Sequence, residues 1–349
     1  MDFEAGNSIS ALDARAMQEA RIRWDGIAKP LHSLGMLEDI LVQIAGIQQS
    51  AQVDIKKRAL VIMCADNGVV EEGVTQTGQE VTAIVAENFL DEKSCAAIMC
   101  AQTGTQICPV DIGMAVDTPR VEKRKIAYGT KNLAKEPAMT RQQAIEAIRV
   151  GMDKAKELQE QGYRILATGE MGIGNTTTSS AVLSSLLEVD PAEVTGRGAG
   201  LDSEGLEKKV RVIREAIHLH RPDPEDPIDI LSKVGGFDLG GLAGVFLGGA
   251  ACKMPVIADG FISIVAALLA VRISPACKDY IIASHLSKEP GTVMAMQALG
   301  LHPAIHADMH LGEGTGAVAL FPLLDLAAEI YHRMSTFSDI NVEKYEELS

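Results

Sequence analysis

The chain has 349 residues, enough for one large α/β domain with a smaller one appended, or for two ordinary domains. Hydrophobic residues make up 47% but aromatics only 4%, so the core rests on Ala, Val, Ile, Leu and Met, which suits helices on a parallel sheet better than a β-sandwich. The formal net charge of -15 argues against a nucleic-acid-binding surface, which needs clustered Lys and Arg, and reads as a solubility feature.

Residues 1–10 have neither a basic start nor an apolar run, so no secretory signal is expected. Residues 11–23 and 34–44 carry helix formers and helical apolar spacing. The apolar run 59–64 ends in Asp66-Asn67-Gly68, a buried strand followed by a turn. A helix is expected over 80–90 and a second strand over 105–110. Thr140 with Gln143 three positions later opens a helix as a capping box; Ile145, Ile148, Met152, Ala155 and Leu158 line one face and Gly162 ends it.

The strand 163–168 runs into Gly169-Glu170-Met171-Gly172-Ile173-Gly174-Asn175-Thr176, with a helix expected over 177–187 and another over 205–218. Residues 221–227 read as a loop. The long apolar stretch 242–273 is broken by Lys253, Pro255, Asp259 and several Gly residues, so no membrane span is expected. Short strands over 255–258 and 280–283 end in Asp259 and Ser284. Strand, polar tip, helix is thus the recurring theme, and Asp66, Glu170, Asp259 and Ser284 are expected on one rim at the carboxyl ends of a parallel sheet. The six cysteines form no C-x-x-C pair and mostly sit in apolar runs, read as buried free thiols of a reducing, cytoplasmic compartment.

Four segments carry candidate chemistry. The Gly-rich turn after the 163–168 strand lets backbone N–H groups approach an anion at a helix N-terminus; it lacks the Gly-Lys-Ser/Thr of a nucleotide P-loop and the G-x-G-x-x-G order of a dinucleotide fold, and a ligand-free tight turn is the alternative. Glu313, bracketed by glycines in Leu311-Gly312-Glu313-Gly314-Thr315-Gly316, suits a general base beside a ligand, the alternative being an exposed loop acid. His302, His306 and His310 share helical spacing, but Pro303 and nearby glycines disfavour a continuous helix, so they read as loop and packing histidines and no metal site is expected. Gly196-Arg197-Gly198-Ala199-Gly200 before Lys208, Lys209 and Arg211 fits either an anion site or a solvated helix face.

Taken together, these segments resemble nicotinate-nucleotide–dimethylbenzimidazole phosphoribosyltransferases. The matching stretches are 65–74, Gln79-Glu80-Val81-Thr82, 125–140, 169–177, 235–270 and 311–317. The resemblance implies a Rossmann-like α/β fold, a parallel sheet with helices on both faces. It implies a large catalytic domain over 51–317 and a small helical domain from 1–50 and 318–349.

It further implies Glu313 as catalytic base and Glu170 near the reacting ribose. Gly172, Gly174, Asn175, Thr176, Gly198 and Lys209 hold the phosphate, with Asp259 and Ser287 beside them, and Gln76, Thr77, Ile84 and Leu311 lie on the acceptor side. The implied substrates are nicotinate mononucleotide and an aromatic lower-ligand base of a cobamide, with no cofactor. The leaving pyridine needs no general acid, and no pyrophosphate calls for Mg²⁺.

Three positions depart from the family pattern: Asp66-Asn67-Gly68 for Asp-His-Gly, Thr75-Gln76-Thr77-Gly78 for Ser-Ala-Tyr-Pro, and Ile84 for a Gln. They suggest an altered acceptor, such as another benzimidazole, a purine or a phenol like p-cresol. They also suggest either a homodimer or a heterodimer with a homologous subunit. The rival readings are a non-catalytic partner subunit, which retention of Glu313, Glu170 and the Gly loop disfavours, and a nucleotide-binding oxidoreductase, which the glycine order disfavours.

Overall fold

The structure, a computed structural model, describes residues 9–345. Six strands form one sheet: β1 (Arg58–Ala65), β2 (Gln106–Gly113), β3 (Glu122–Lys123), β4 (Ile165–Met171), β5 (Val256–Ala258) and β6 (Ile281–Ala283). Their order is β3-β2-β1-β4-β5-β6 and every pairing is parallel. This is the doubly wound order, whose direction reverses between β1 and β4 and opens a crevice at their carboxyl ends.

The helices in chain order are α1 (Ala14–Gly26), α2 (Met36–Gln48), α3 (Glu80–Asn88), α4 (Cys95–Thr103), α5 (Arg141–Glu160), α6 (Asn175–Leu187), α7 (Pro191–Val194), α8 (Ser203–His220), α9 (Pro227–Val234), α10 (Phe237–Ala251), α11 (Phe261–Ile273), α12 (Gly291–Leu299) and α13 (Thr315–Arg333). All eight residues of β1 are buried, because side chains alternate across a sheet covered on both faces. Ala59, Val61, Met63 and Ala65 point into a core shared with α5, α6 and α8 to α12. Leu60, Ile62 and Cys64 point into a second core formed with α1 to α4 and α13. The segments at the two chain ends meet there, and an antiparallel bridge joins Ile27 to Thr336.

The Thr140–Gln143 capping box opens α5 as the spacing requires. The glycine-rich run that opens the long apolar stretch is helix α10 despite the low helix propensity of Gly. The reason is its close approach to α5: a Cβ added at Gly248 would lie 2.7 Å from Met152 Cα, so the two backbones touch only without side chains.

Two local expectations change. The strand expected over 163–168 starts and ends later, at Ile165–Met171, because Gly169, Glu170 and Met171 continue the ladder against Ile62, Met63 and Cys64 of β1. Glu170 therefore stands on a rigid strand rather than in a loop. Of the cysteines, Cys64, Cys100 and Cys277 are buried, Cys108 and Cys252 are half-buried and Cys95 is exposed, all as free thiols. Among the described residues no helix is long and apolar enough to cross a membrane, and no group of side chains is arranged to hold a metal ion.

Candidate active site

At the carboxyl ends of β4, β5 and β6 lies a cleft of about 270 Å³. Of the residues singled out from sequence, it is lined by Glu170, Gly172, Asn175, Thr176, Gly198, Asp259, Ser287, Leu311 and Glu313. A smaller pocket of about 80 Å³ adjoins it and shares the 172–176 loop and Gly198; Gln76, Thr77, Gly174 and Lys209 line that one. Ile84 lines neither, being 59% exposed, whereas its neighbour Val85 lines the cleft.

The strand tips divide into two groups. Asp66 and Ser284 are consumed structurally. The Asp66 carboxylate accepts from Thr82 Oγ1 at 2.6 Å and from Ala115 N at 2.7 Å, and Ser284 Oγ donates to the Ala258 carbonyl at 2.7 Å. Glu170 and Asp259 instead border the cleft. Asn67 is also buried; its amide donates to the Ile173 carbonyl at 3.4 Å and braces the Gly-rich loop from beneath.

Glu170 accepts a hydrogen bond from Asn175 Nδ2. Burial, reinforced by the nearby Asp238 and Asp259 carboxylates, pushes its carboxyl up to about 8. Burial does the same to Asp238, pushed up to about 7. Neither carboxyl forms an ion pair with Lys or Arg in the described residues, so no counter-ion offsets burial and both keep their protons to near-neutral pH.

Glu313 sits in a backbone turn of unusual hand. Gly312, Glu313 and Gly314 have φ of +89°, +60° and +86°. The glycines adopt the left-handed region freely, but Glu313 does so at a cost of about 1–2 kcal/mol. The turn is pressed onto β4: a Cβ at Gly312 would lie 2.5 Å from Glu170 Oε1, and one at Gly169 would lie 2.6 Å from the Glu313 carbonyl oxygen. The Glu313 carboxylate accepts a long hydrogen bond, 3.4 Å, from Ala96 N at the start of α4. Burial raises its proton affinity, and the Asp259 charge adds to that.

The opposite end of the site is cationic. Lys209 is 1% exposed and donates to Thr176 Oγ1 at 2.8 Å and to the Gly196 carbonyl at 3.2 Å. The solvated-face alternative therefore does not hold for this lysine. Burial lowers its pKa to about 8, with Glu289 acting in the other direction. The adjacent α6 has Gly174 at its N-cap and so no side-chain cap, leaving its N-terminal pole open toward the pocket. Gly198 N donates to Glu289 Oε1 at 3.1 Å, and Gln76 Nε2 donates to the Gly200 carbonyl, tying the 196–200 turn to the 74–77 loop.

Sequence reasoning missed His285, Glu289, Val85, Met171 and Phe261, which also line the cleft. His285 directly follows Ser284, so the strand-tip pattern pointed one residue short of it. Glu289 carries no local signal, since only the fold brings it to Gly198. Of the three spaced histidines, His310 alone reaches the cleft, and all three are exposed.

The chain's likeness to known proteins agrees with this geometry. Residues 9–342 match the phosphoribosyltransferase family. The nicotinate-nucleotide–dimethylbenzimidazole phosphoribosyltransferase of Acetivibrio thermocellus is 48% identical over 348 residues, 99% of each chain. That of Alkaliphilus metalliredigens is 46% identical over 337 residues, 96% of this chain and 97% of the relative. The crystal structure of CobT from Thermus thermophilus superposes with a TM-score of 0.90 at 38% identity, covering 95% of this chain and all of that one. Matched over nearly its full length in sequence and in fold, this chain belongs to the nicotinate-nucleotide–dimethylbenzimidazole phosphoribosyltransferase family.

Proposed function

We propose that this chain transfers the 5-phosphoribosyl group of nicotinate mononucleotide to an aromatic base, releasing nicotinate and forming an α-ribotide for the lower ligand of a cobamide. The observation that carries this reading is the polarity of the site. Buried Lys209 lies in the smaller pocket and the carboxyls of Glu170 and Glu313 in the adjoining cleft, with the uncapped N-terminus of α6 bordering both. Nicotinate mononucleotide has the matching polarity, an anionic phosphate at one end and a cationic glycosidic nitrogen at the other.

In the reaction the C1′–N bond to nicotinate breaks and its electron pair stays on the pyridine nitrogen, which becomes neutral. A bond forms from C1′ to the acceptor on the opposite face, converting β to α, and the acceptor's proton passes to Glu313 as general base. Positive charge gathering at C1′ opposes the burial that holds the proton on Glu170 and favours its carboxylate form, which in turn stabilises that charge. Lys209, Thr176 and amides of the 172–176 loop grip the phosphate, with Gly198, its own N–H held by Glu289, shaping that end, and Ser287 borders the ribose. This fixes the sugar while the bonds exchange.

The acceptor side is lined by Val85, Met171 and Leu311, which grip a flat ring without reading a particular polar group. Such apolar contacts select ring shape rather than a polar pattern, so the acceptor range extends beyond dimethylbenzimidazole to phenols, purines and other benzimidazoles. The test is to incubate the purified chain with nicotinate mononucleotide and a panel of bases, and to identify products by mass. Several α-ribotides are expected. Exclusive use of dimethylbenzimidazole would reject the broadened acceptor range, and no ribotide from any base would reject the activity. In the same assay Glu313→Gln is expected to lower kcat about 10²–10⁴-fold, the usual worth of a general base.

A further inference from the structure

We infer that Asp259 is a positioning residue: it clamps the Gly312–Glu313–Gly314 turn against the sheet and so aims the Glu313 carboxylate, rather than holding substrate. The inference rests on the proposed role of Glu313 as base. Asp259 directly follows β5 and is 2% exposed. One of its carboxylate oxygens accepts from Gly314 N at 3.1 Å; the other accepts from Gly316 N at 2.7 Å and Ala317 N at 3.1 Å. Three backbone donors thus occupy a carboxylate that borders the cleft.

All three donors belong to the first turn of α13 or its cap, and the first of them immediately follows Glu313. The same bonds satisfy N–H groups that a helix start leaves without partners, and a negative charge is favourable at that pole. Asp259 is itself held, since its own N–H donates to Ser263 Oγ at 3.2 Å. Glu313 adopts a left-handed conformation that a non-glycine residue does not keep unaided. Local bonds from Thr315 to the Gly312 carbonyl close the turn on itself but do not anchor it. Anchoring to the sheet comes from Asp259 just past β5 and from the contact of Gly169 with the Glu313 carbonyl.

The ionisable groups facing Asp259 are Glu170 from β4, Glu313 from the turn itself and His285 from the end of β6, whose Nδ1 lies 3.8 Å away. The Asp259 charge raises the proton affinity of Glu313 as well as fixing its place. These two effects give the clamp a signature that mere structural support lacks.

The test compares Asp259→Asn with the wild type in steady-state turnover, in the pH profile of kcat/KM and in amide exchange of residues 312–318. The amide keeps the shape but loses the charge and one acceptor. Expected are a fall in kcat of about 10²-fold, the usual result of a misplacement near 1 Å, and a KM for nicotinate mononucleotide within about threefold of wild type. The acidic limb is expected to move to lower pH, and amides 314–317 to exchange faster. Should Asp259→Asn not fold, Ser263→Ala is expected to change the same quantities in the same direction by a smaller factor. A KM raised about tenfold or more with kcat retained would show that Asp259 holds substrate and overturn the inference, as would wild-type kinetics with unchanged exchange. Wild-type enzyme that turns over no base would instead sink the proposed function, while the exchange experiment still judges the clamp.

Discussion

Replacing Gly169 by Ala tests whether the position of the Glu313 turn, rather than its mere presence, sets the rate. Gly169 lies in β4 directly beneath the turn. An added methyl would meet the Glu313 carbonyl oxygen at 2.6 Å, the Glu313 carbonyl carbon at 2.8 Å and Gly314 N at 2.9 Å. Ordinary contact begins near 3.4 Å, so the turn must retreat by about 0.8 Å. All three neighbours are backbone atoms, and the turn is tied to Asp259, so no side chain can rotate away to relieve the clash. A displacement of that size at a reacting group costs about 10²-fold in kcat, equivalent to about 2.7 kcal/mol of barrier. Overpacking adds a stability loss of about 1–3 kcal/mol, offset in part by the better strand propensity of Ala. The assay is initial-rate formation of the α-ribotide at saturating nicotinate mononucleotide, alongside a thermal melt. Because the added methyl meets the Glu313 turn and not the 172–176 loop or Lys209, KM for nicotinate mononucleotide is expected to stay near wild type. A Gly169→Ala enzyme with full kcat and unaltered Tm would refute the reasoning.

Three further outcomes follow from the buried ionisable groups. Lys209→Ala is expected to raise KM for nicotinate mononucleotide about 10–150-fold, the worth of a charged hydrogen bond. In the wild type KM should rise above pH 8 or so, as the lysine, lowered to about 8, sheds its proton; a KM flat to pH 9.5 or so would contradict this. Glu170, raised in the folded state to about 8, binds a proton that the unfolded chain has already released, so its contribution to stability declines as pH climbs from roughly 4.5 toward 8. Glu170→Gln removes that decline: its Tm is expected to exceed the wild-type value at pH 8.5 or so and to converge with it near pH 5, which differential scanning calorimetry measures.

The positions of chemistry were legible in the sequence more fully than the fate of each side chain. Short apolar runs ending in polar residues correctly located Asp66, Glu170, Asp259 and Ser284 at strand ends, because parallel strands buried on both faces leave that pattern. The pattern could not say that Asp66 and Ser284 spend their polar atoms inside the protein, since Thr82, Ala115 and Ala258 reach them only through the fold. Asp259 was expected beside the phosphate, yet its oxygens are occupied by the start of α13. Lys209 looked like its neighbour Lys208, but helix phase turns one inward over Gly196 and Thr176. Helix α10 was hidden by its glycines, whose purpose is visible only once α5 lies against them. The two-residue strand β3 carries too little pattern to be read at all.

The cleft draws on turns that follow β4, β5 and β6 and on the start of α13, with Lys209 supplied by α8. Residue 313, the base proposed above, follows every strand in the chain, so a nascent polypeptide can complete its sheet before that carboxylate is in place. On that proposal, partly folded forms holding the six strands but not α13 are expected to be inert toward nicotinate mononucleotide. Turnover during refolding reports the docking of that final long helix rather than the assembly of the sheet, and is expected to lag behind the recovery of secondary structure.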